Sequence, residues 1–199
     1  MANLQITLDD GPQPVGNALT PILAELGRRG VVAAFFNLGE EVAADAAAAR
    51  SILQKGHVLC NHSWDHLMPS TTKYSDAEVL EQFQKTHDEV LRATRVAMKH
   101  WRAPRLEQIS RLKALLTTGP KAIYTLSHCD VHADSKDSQG ATDAAGMLKA
   151  LRADIAAGSG RGVFRLLFHV KAATANALPA VLDGLLADKH TLVDFAQTT

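Results

Sequence analysis

The sequence predicts an α/β fold in which parallel strands are covered by helices, either as a barrel or as a doubly wound sheet. Two observations predict this class. Short apolar runs typical of strands alternate about seven times with longer segments that carry apolar residues at helical spacing. No linker interrupts this alternation, and 199 residues is the length of one domain with a sizeable core. We therefore expect residues 1–199 to form a single domain.

The amino-terminal third of the chain predicts three strands separated by two helices. The strand patterns are an alternating run that stops at a Gly-Pro turn and two mostly apolar runs, at residues 4–8, 31–36 and 57–60. The helix patterns end at a glycine and span residues 15–29 and 40–55. This order of elements favours parallel pairing of the strands.

The remainder of the chain continues the alternation with four helices and four strands. The clearest helix begins at a capping box, in which Ser75 and Glu78 can each satisfy the other's backbone N–H. The helices are predicted at residues 75–95, 106–116, 142–157 and 174–188. The strands are predicted at residues 96–102, 122–127, 163–168 and 191–195, with a polar loop at residues 128–140.

Composition excludes several classes of protein. The 21 Lys and Arg residues balance 21 Asp and Glu residues, which argues against a nucleic acid or an anionic membrane as partner. No run approaches the ~18 consecutive apolar residues of a membrane span. Cys60 and Cys129 are too few for a disulfide scaffold and lack metal-binding spacing. Because the first residues lack the basic and apolar regions of a secretory signal, we expect a cytoplasmic protein.

Two adjacent carboxylates, Asp9 and Asp10, follow the first predicted strand. Like charges this close raise each other's pKa unless a cation is present. One solution gives one carboxylate to a metal ion and leaves the other beside it as a base. The alternative is that both are ordinary turn residues before Gly11 and Pro12.

Two histidines, His62 and His66, follow the third predicted strand. In a helical segment they would lie on one face and could bind one ion, whereas two solvated loop histidines are the alternative. The spacing resembles that of HExxH metalloproteases, but no Glu follows His62, so a general base must come from elsewhere. Together with one Asp they would form a three-ligand site that suits Zn²⁺, although cobalt, nickel or iron could occupy it.

Arg102 and His169 also follow or end predicted strands. Arg102 is either a surface arginine before a turn or a guanidinium that orients a carboxylate. His169 is either a core histidine or a general acid. In a barrel the carboxyl ends of the strands share one edge, so all four clusters are expected to meet there.

Taken in order, these motifs resemble the NodB-homology polysaccharide deacetylases, carbohydrate esterase family 4. The resemblance is carried by Thr-Leu-Asp-Asp-Gly-Pro at residues 7–12, Phe-Phe and Gly within residues 35–39, His-Ser-Trp-Asp-His at residues 62–66, Arg-Ala-Pro at residues 102–104 and Leu-Phe-His at residues 167–169. It implies an irregular (β/α) barrel of about seven parallel strands. It also implies metal-dependent removal of N- or O-acetyl groups from the sugars of a polysaccharide or oligosaccharide.

The resemblance assigns a role to each of these side chains. Asp9 is expected to be the catalytic base, Arg102 to orient it, and His169 to be the acid that protonates the leaving group. The ligands of one divalent metal ion, for which Zn²⁺ is favoured, are expected to be Asp10, His62 and His66. The acetylated carbohydrate substrate would bind beside this ion.

The family's fourth motif, an Asp pair followed by Trp, has only a partial counterpart here. Asp130 and Asp134 are one residue too far apart, and Ser135 stands where Trp is expected. Of the two, we expect Asp130 to orient His169.

The residues that would contact the sugar also depart from the family. Arg105 and Leu106 replace an aromatic residue and Gly after the third motif, although the backbone N–H of Arg105 can still stabilise an oxyanion. Trp64 and Trp101 either stack on a sugar or pack the loops. A small non-sugar amide or cyclic amide is therefore the alternative substrate. A carbohydrate-binding pseudoenzyme is disfavoured, because a binding module needs no paired base and acid.

Overall fold

A computed structural model describes residues 1–12, 18–66, 74–126 and 128–195 of the chain. Within these ranges, six strands form one sheet: β1 (Asn3–Gly11), β2 (Ala34–Asn37), β3 (Val58–Asn61), β4 (Ala133–Asp134), β5 (Val163–His169) and β6 (Thr191–Leu192). The α-helices of the same ranges are α1 (Leu19–Arg29), α2 (Gly39–Ala44), α3 (Ala46–Gln54), α4 (Asp76–Thr94), α5 (Ile109–Lys113), α6 (Ala144–Ala157) and α7 (Ala172–Ala187). The predicted α/β class is therefore confirmed. None of these helices is long and apolar enough to cross a membrane.

The sheet has the order β3-β2-β1-β5-β4, and all of its pairings are parallel. Residues 3–9 of β1 pair with residues 163–169 of β5 in unbroken register. β6 pairs with the first residues of β1, on the edge that pairs with β2 further along. Since the strands are parallel, β1, β3 and β5 end at the same edge. Closure of the sheet into a barrel stays a prediction.

The sheet is buried on both faces, because side chains alternate along each strand and both sides are covered. Leu4, Ile6 and Leu8 of β1 belong to the large apolar core. A smaller cluster on the other face contains Ala34, Phe36, Cys60, Cys129 and Phe195. Thr7 and Asp9 alternate with the core residues of β1, and both contact Arg102. The polar groups of the site therefore lie on the face opposite the large core.

Four helix predictions are largely correct, those that correspond to α1, α4, α6 and α7, and another needs division. α4 begins at the predicted capping box, where Ser75 Oγ accepts from Glu78 N–H and Glu78 Oε2 accepts from Ser75 N–H at 2.7 Å. α1 begins at Leu19; residues 15–17 of the predicted helix lie outside the described residues. The helix predicted at residues 40–55 is two helices, because the Asp45 side chain caps the amino terminus of α3.

The strand predicted at residues 96–102 is wrong. In this segment the pairing with β3 is limited to a single bridge, between Trp101 and Asn61. Arg102 N–H donates to Asn61 O at 3.0 Å, and Asn61 N–H donates to His100 O at 2.9 Å. The bridge nevertheless places Arg102 beside the end of β3.

The helix predicted at residues 106–116 begins later and is irregular, and the strand predicted at residues 122–127 is wrong. The first segment divides into a 3₁₀ turn (Pro104–Leu106), α5 and a π-helical turn (Ala114–Thr118), because Arg105, Leu106 and Gln108 have positive φ angles. Residues 122–126 form no strand; the N–H groups of residues 123 and 124 donate instead to Leu116 O, which closes the preceding turn. Ser127 lies outside the described residues. A short strand, β4, falls within the loop predicted at residues 128–140.

Candidate active site

The carboxyl ends of β1 and β5 bring a carboxylate pair and a histidine together. Asp9 pairs with His169 in the register of the two strands, and Val170 N–H donates to Asp9 O at 2.9 Å. Asp10 has a φ of 61°, a left-handed conformation that breaks the alternation of the strand. His62 follows β3 directly, so its side chain reaches the same edge.

Asp10, His62 and His66 form a candidate metal site. One ligand atom of each lies within 4.8 Å of the others. Asp10 Oδ1 is 3.6 Å from His62 Nε2 and 3.5 Å from His66 Nε2, too far for good hydrogen bonds. Tetrahedral zinc ligands, with bonds of about 2.0–2.1 Å, are separated by about 3.3 Å. The spacing therefore suits three ligands of one ion.

The hydrogen bonding of these residues also fits a metal. His62 Nδ1 lies 3.1 Å from the carbonyl oxygen of Arg102, so the Nδ1–H form leaves the Nε2 lone pair facing Asp10. Burial lowers the pKa of His62 to about 3, and the imidazole is therefore neutral, as a ligand must be. Asp10 Oδ1 is buried and has no hydrogen-bond partner among the described residues. A cation would satisfy it.

The segment that carries both histidines is irregular, so the helix considered for residues 62–66 is not present. Ser63 and His66 have φ angles of 73° and 61°. These two left-handed residues turn the chain so that the two imidazoles approach each other, with ring centroids 5.1 Å apart. The two imidazoles therefore come close together although the segment is not a helix.

Asp9 is buried and paired with Arg102. The guanidinium donates to Asp9 Oδ1 at 2.5 Å and to Thr7 Oγ1 at 3.0 Å, and it also donates to Cys129 O at 3.0 Å. Its carbon lies 4.0 Å from the centroid of the Phe36 ring. Burial raises the pKa of Asp9 above its usual value, while Arg102 opposes this rise. The free oxygen, Oδ2, lies 3.6 Å from His62 Nε2.

His169 is held by Asp137 and not by Asp130. Asp137 Oδ1 lies 2.6 Å from His169 Nδ1, and Asp137 Oδ2 accepts from His169 N–H at 2.8 Å and from Thr174 Oγ1 at 2.5 Å. Burial alone would lower the pKa of His169, but Asp137 raises it above the usual value. Burial raises the pKa of Asp137, yet its bonds with His169 and Thr174 bring the net value below the usual one.

The expectation that Asp130 orients His169 is thus corrected. Asp130 is partly exposed and lies 2.9 Å from His128 Nδ1, and the His128 ring packs against Trp101. A signal for Asp137 was present in the sequence. Asp134 and Asp137 are separated by two residues, the spacing that Asp130 and Asp134 miss by one.

The cavity over these residues has a volume of about 500 Å³. It is lined by Asp9, Asp10, His62, His66, Arg105, Leu106, Asp134, Ser138, Gln139, Leu167 and His169. Of the three residues predicted to contact substrate, only Arg105 lines it. Trp101 is fully buried against Phe83 and His128. Trp64 packs on α2 and lies beneath Lys85. Both tryptophans therefore pack against neighbouring segments, as the alternative interpretation expects, and do not line the cavity.

Comparison with solved structures identifies the class of fold. The peptidoglycan deacetylase PdaC from Bacillus subtilis superposes with a TM-score of 0.78 over 98% of this chain and 89% of that chain, at 23% identity. The family 4 carbohydrate esterase from Streptomyces lividans, in complex with acetate, gives 0.77 over 96% and 91%, also at 23% identity. A family 4 pseudoenzyme from Bacillus anthracis gives 0.80 over 96% and 63%, at 19% identity. The chain shares the fold of these carbohydrate esterases.

Sequence comparison gives the family. The polysaccharide deacetylase model matches residues 3–119, more than half of the chain, and the chain belongs to this family. The peptidoglycan-N-acetylglucosamine deacetylase PgdA of Listeria monocytogenes is 39% identical over 92 residues, which are 46% of this chain and 19% of that protein. The chitooligosaccharide deacetylase of Bradyrhizobium is 34% identical over 111 residues, 51% of this chain and 45% of that protein. The chain thus spans less than half the length of these relatives.

Proposed function

We propose that this chain is a metal-dependent deacetylase of N- or O-acetylated sugars in a polysaccharide or oligosaccharide, and that residues 1–199 act as one domain. One observation carries the proposal: a set of metal-ligand candidates, a buried carboxylate and a carboxylate-bound imidazole line the same cavity. Membership of the polysaccharide deacetylase family and the deacetylase names of the relatives support it.

Asp10, His62 and His66 would hold the ion, and Zn²⁺ suits two imidazoles and one carboxylate. When bound, such an ion polarises the acetyl carbonyl and lowers the pKa of a water molecule. A set of three protein ligands would leave a position for water, as in catalytic rather than structural metal sites. His62 stays neutral because it is buried.

Asp9 is proposed as the base that takes the proton of the attacking water. Arg102 holds Oδ1 and leaves Oδ2 for this proton. Burial makes the carboxylate more basic, and the guanidinium keeps it ionised. The hydrogen bond from Arg102 also fixes the orientation of this base.

His169 is proposed as the acid that protonates the leaving nitrogen or oxygen. Nδ1–H donates to Asp137, so Nε2 faces the cavity, 4.0 Å from Asp10 Oδ2, and it carries a proton when the ring is an imidazolium. The carboxylate of Asp137 raises the pKa of His169 and so favours this protonated form. Arg105 also lines the cavity and is proposed to contact the substrate.

A second candidate is hydrolysis of a small non-sugar amide or cyclic amide. It is favoured by the lining of the cavity, which contains no Phe, Tyr or Trp among the described residues. Sugars commonly need an aromatic face to stack on, whereas a small amide does not. The chemistry of base, acid and ion would be the same.

The test combines metal analysis with a substrate panel. The purified chain should hold about one transition-metal ion, and His62→Ala should lose most of it. Acetate release should be measured on chitooligosaccharides, acetylxylan, peptidoglycan fragments and small amides, with Asp9→Asn as the control. Release from a sugar that Asp9→Asn abolishes would support the deacetylase. Hydrolysis confined to small amides would establish the second candidate, and sugar binding without any hydrolysis would refute both.

A further inference from the structure

The short segment between the two candidate histidine ligands has a backbone that needs external support. Ser63 and His66 both adopt left-handed conformations, which side chains other than glycine adopt at a cost. Such a segment keeps its shape only where its surroundings hold it. The position of His66 relative to Asp10 depends on this shape, because His66 ends the segment.

Helix α2 supports the first half of the segment through its amino terminus. Gly39 N–H donates to Ser63 O at 3.0 Å, and Glu40 N–H donates to Trp64 O at 3.1 Å. The Trp64 ring lies directly on Gly39, since a Cβ atom built there would be 2.3 Å from Trp64 Cε3. Lys85 of α4 covers the ring, with Nζ 3.7 Å from its centroid.

Gln82 of α4 supports the second half. Its Oε1 accepts from the backbone N–H groups of Trp64 and Asp65, at 3.0 and 3.2 Å. Its Nε2 donates to Asp65 Oδ2 at 3.2 Å. An amide can accept from two N–H groups through its oxygen and also donate to a carboxylate through its NH₂, and Gln82 is long enough to do both from the helix. The side chain is half-buried, so water competes with these bonds only in part.

We infer that Gln82 is a positioning residue for the metal site: it fixes the segment that presents His66, and so sets the affinity for the ion. The inference rests on the proposed site of Asp10, His62 and His66. Residues that orient metal ligands commonly contribute about 10- to 100-fold to affinity. Gln82 touches neither the ion nor the substrate, and acts only through the backbone of residues 64–65.

The test is the zinc affinity of the metal-free 199-residue chain, measured by competition with a chromophoric chelator. Gln82→Leu and Gln82→Asn should bind Zn²⁺ about 10- to 100-fold more weakly than the wild type. The first removes all three bonds, and the second keeps the amide but is too short to reach. The matched control is Gln84→Leu, because the Gln84 amide donates to Asp88 on the exposed face of the same helix. It should change zinc affinity by no more than about twofold.

Wild-type zinc affinity in both Gln82 variants would overturn the inference, and so would an equal loss in Gln84→Leu. If Gln82→Leu fails to fold, as judged by circular dichroism, Gln82→Asn decides, because it keeps a polar side chain at the half-buried position. A wild-type chain that binds no zinc would overturn both this inference and the proposed function. A chain that binds zinc but releases no acetate would overturn the proposed function alone.

Discussion

Replacing Asp137 by Asn removes the negative charge that faces His169 and leaves the size of the side chain unchanged. Asp137 Oδ1 lies 2.6 Å from His169 Nδ1, and Asp137 is only 4% exposed, so water cannot replace the lost charge. A neutral amide oxygen is a weaker acceptor and stabilises an imidazolium less. The variant should therefore hold His169 less firmly and lower its pKa.

The size of the effect follows from the bond that is changed. Hydrogen bonds to charged groups contribute about 1.5–3 kcal/mol. If this bond acts in the transition state, its loss corresponds to roughly 10- to 150-fold in kcat/KM. The pKa of His169 is raised in the folded wild type, so the acid is lost as the pH rises through that raised value. In Asp137→Asn the basic limb of the pH profile should move to lower pH.

The assay is kcat/KM for acetate release by the zinc-loaded protein as a function of pH. The control is Asp130→Asn, because Asp130 contacts His128 at a partly exposed position and should matter little. An NMR titration of the His169 ring measures the same pKa change without a substrate. An unchanged profile and pKa in Asp137→Asn, or a larger loss in Asp130→Asn, would refute the reasoning.

Two further predictions concern packing and charge. Gly39→Ala should destabilise the fold by about 1–3 kcal/mol, because its Cβ would lie 2.3 Å from Trp64 Cε3. The control Gly27→Ala, on an open face of α1, should instead stabilise it by about 0.5–1 kcal/mol; equal effects in urea unfolding would contradict this. Arg102→Met should cost about 3–5 kcal/mol at neutral pH by leaving the buried Asp9 carboxylate unpaired. The pKa of Asp9 would rise further in this variant, so the loss of stability should shrink as the pH falls and Asp9 is protonated in both the folded and the unfolded chain. A loss of stability that does not change with pH would contradict this prediction.

Much of the candidate site could be predicted because its residues follow strands. Asp9, Asp10, His62 and His169 each follow or end an apolar run, and parallel strands end at one edge of a sheet. Their convergence in one cavity needed no knowledge of side-chain contacts. The capping box of α4 could be predicted for a similar reason, since both of its partners lie within one turn.

Some residues were assigned the wrong role from the sequence or were not identified from it, and their roles depend on contacts between distant segments. Trp64 and Trp101 adjoin site motifs, yet their rings pack against α2, α4 and the buried loop at His128. Asp137 reaches His169 from 32 residues away, and Gln82 reaches Trp64 from 18. Nothing local distinguishes a tryptophan that stacks on a ligand from one that packs a loop.

Local information in the chain was sufficient for the α/β class, for the ends of the main strands and for the residues capable of binding a metal. These properties depend on the period of apolar residues and on the chemistry of each side chain. The burial of both tryptophans and the support of the His66 segment were decided by the tertiary structure alone, and it was the tertiary structure that selected Asp137 rather than Asp130 as the partner of His169. Each depends on which of several similar polar or aromatic groups comes within hydrogen-bonding or van der Waals distance, and folding sets that distance through contacts across the whole chain.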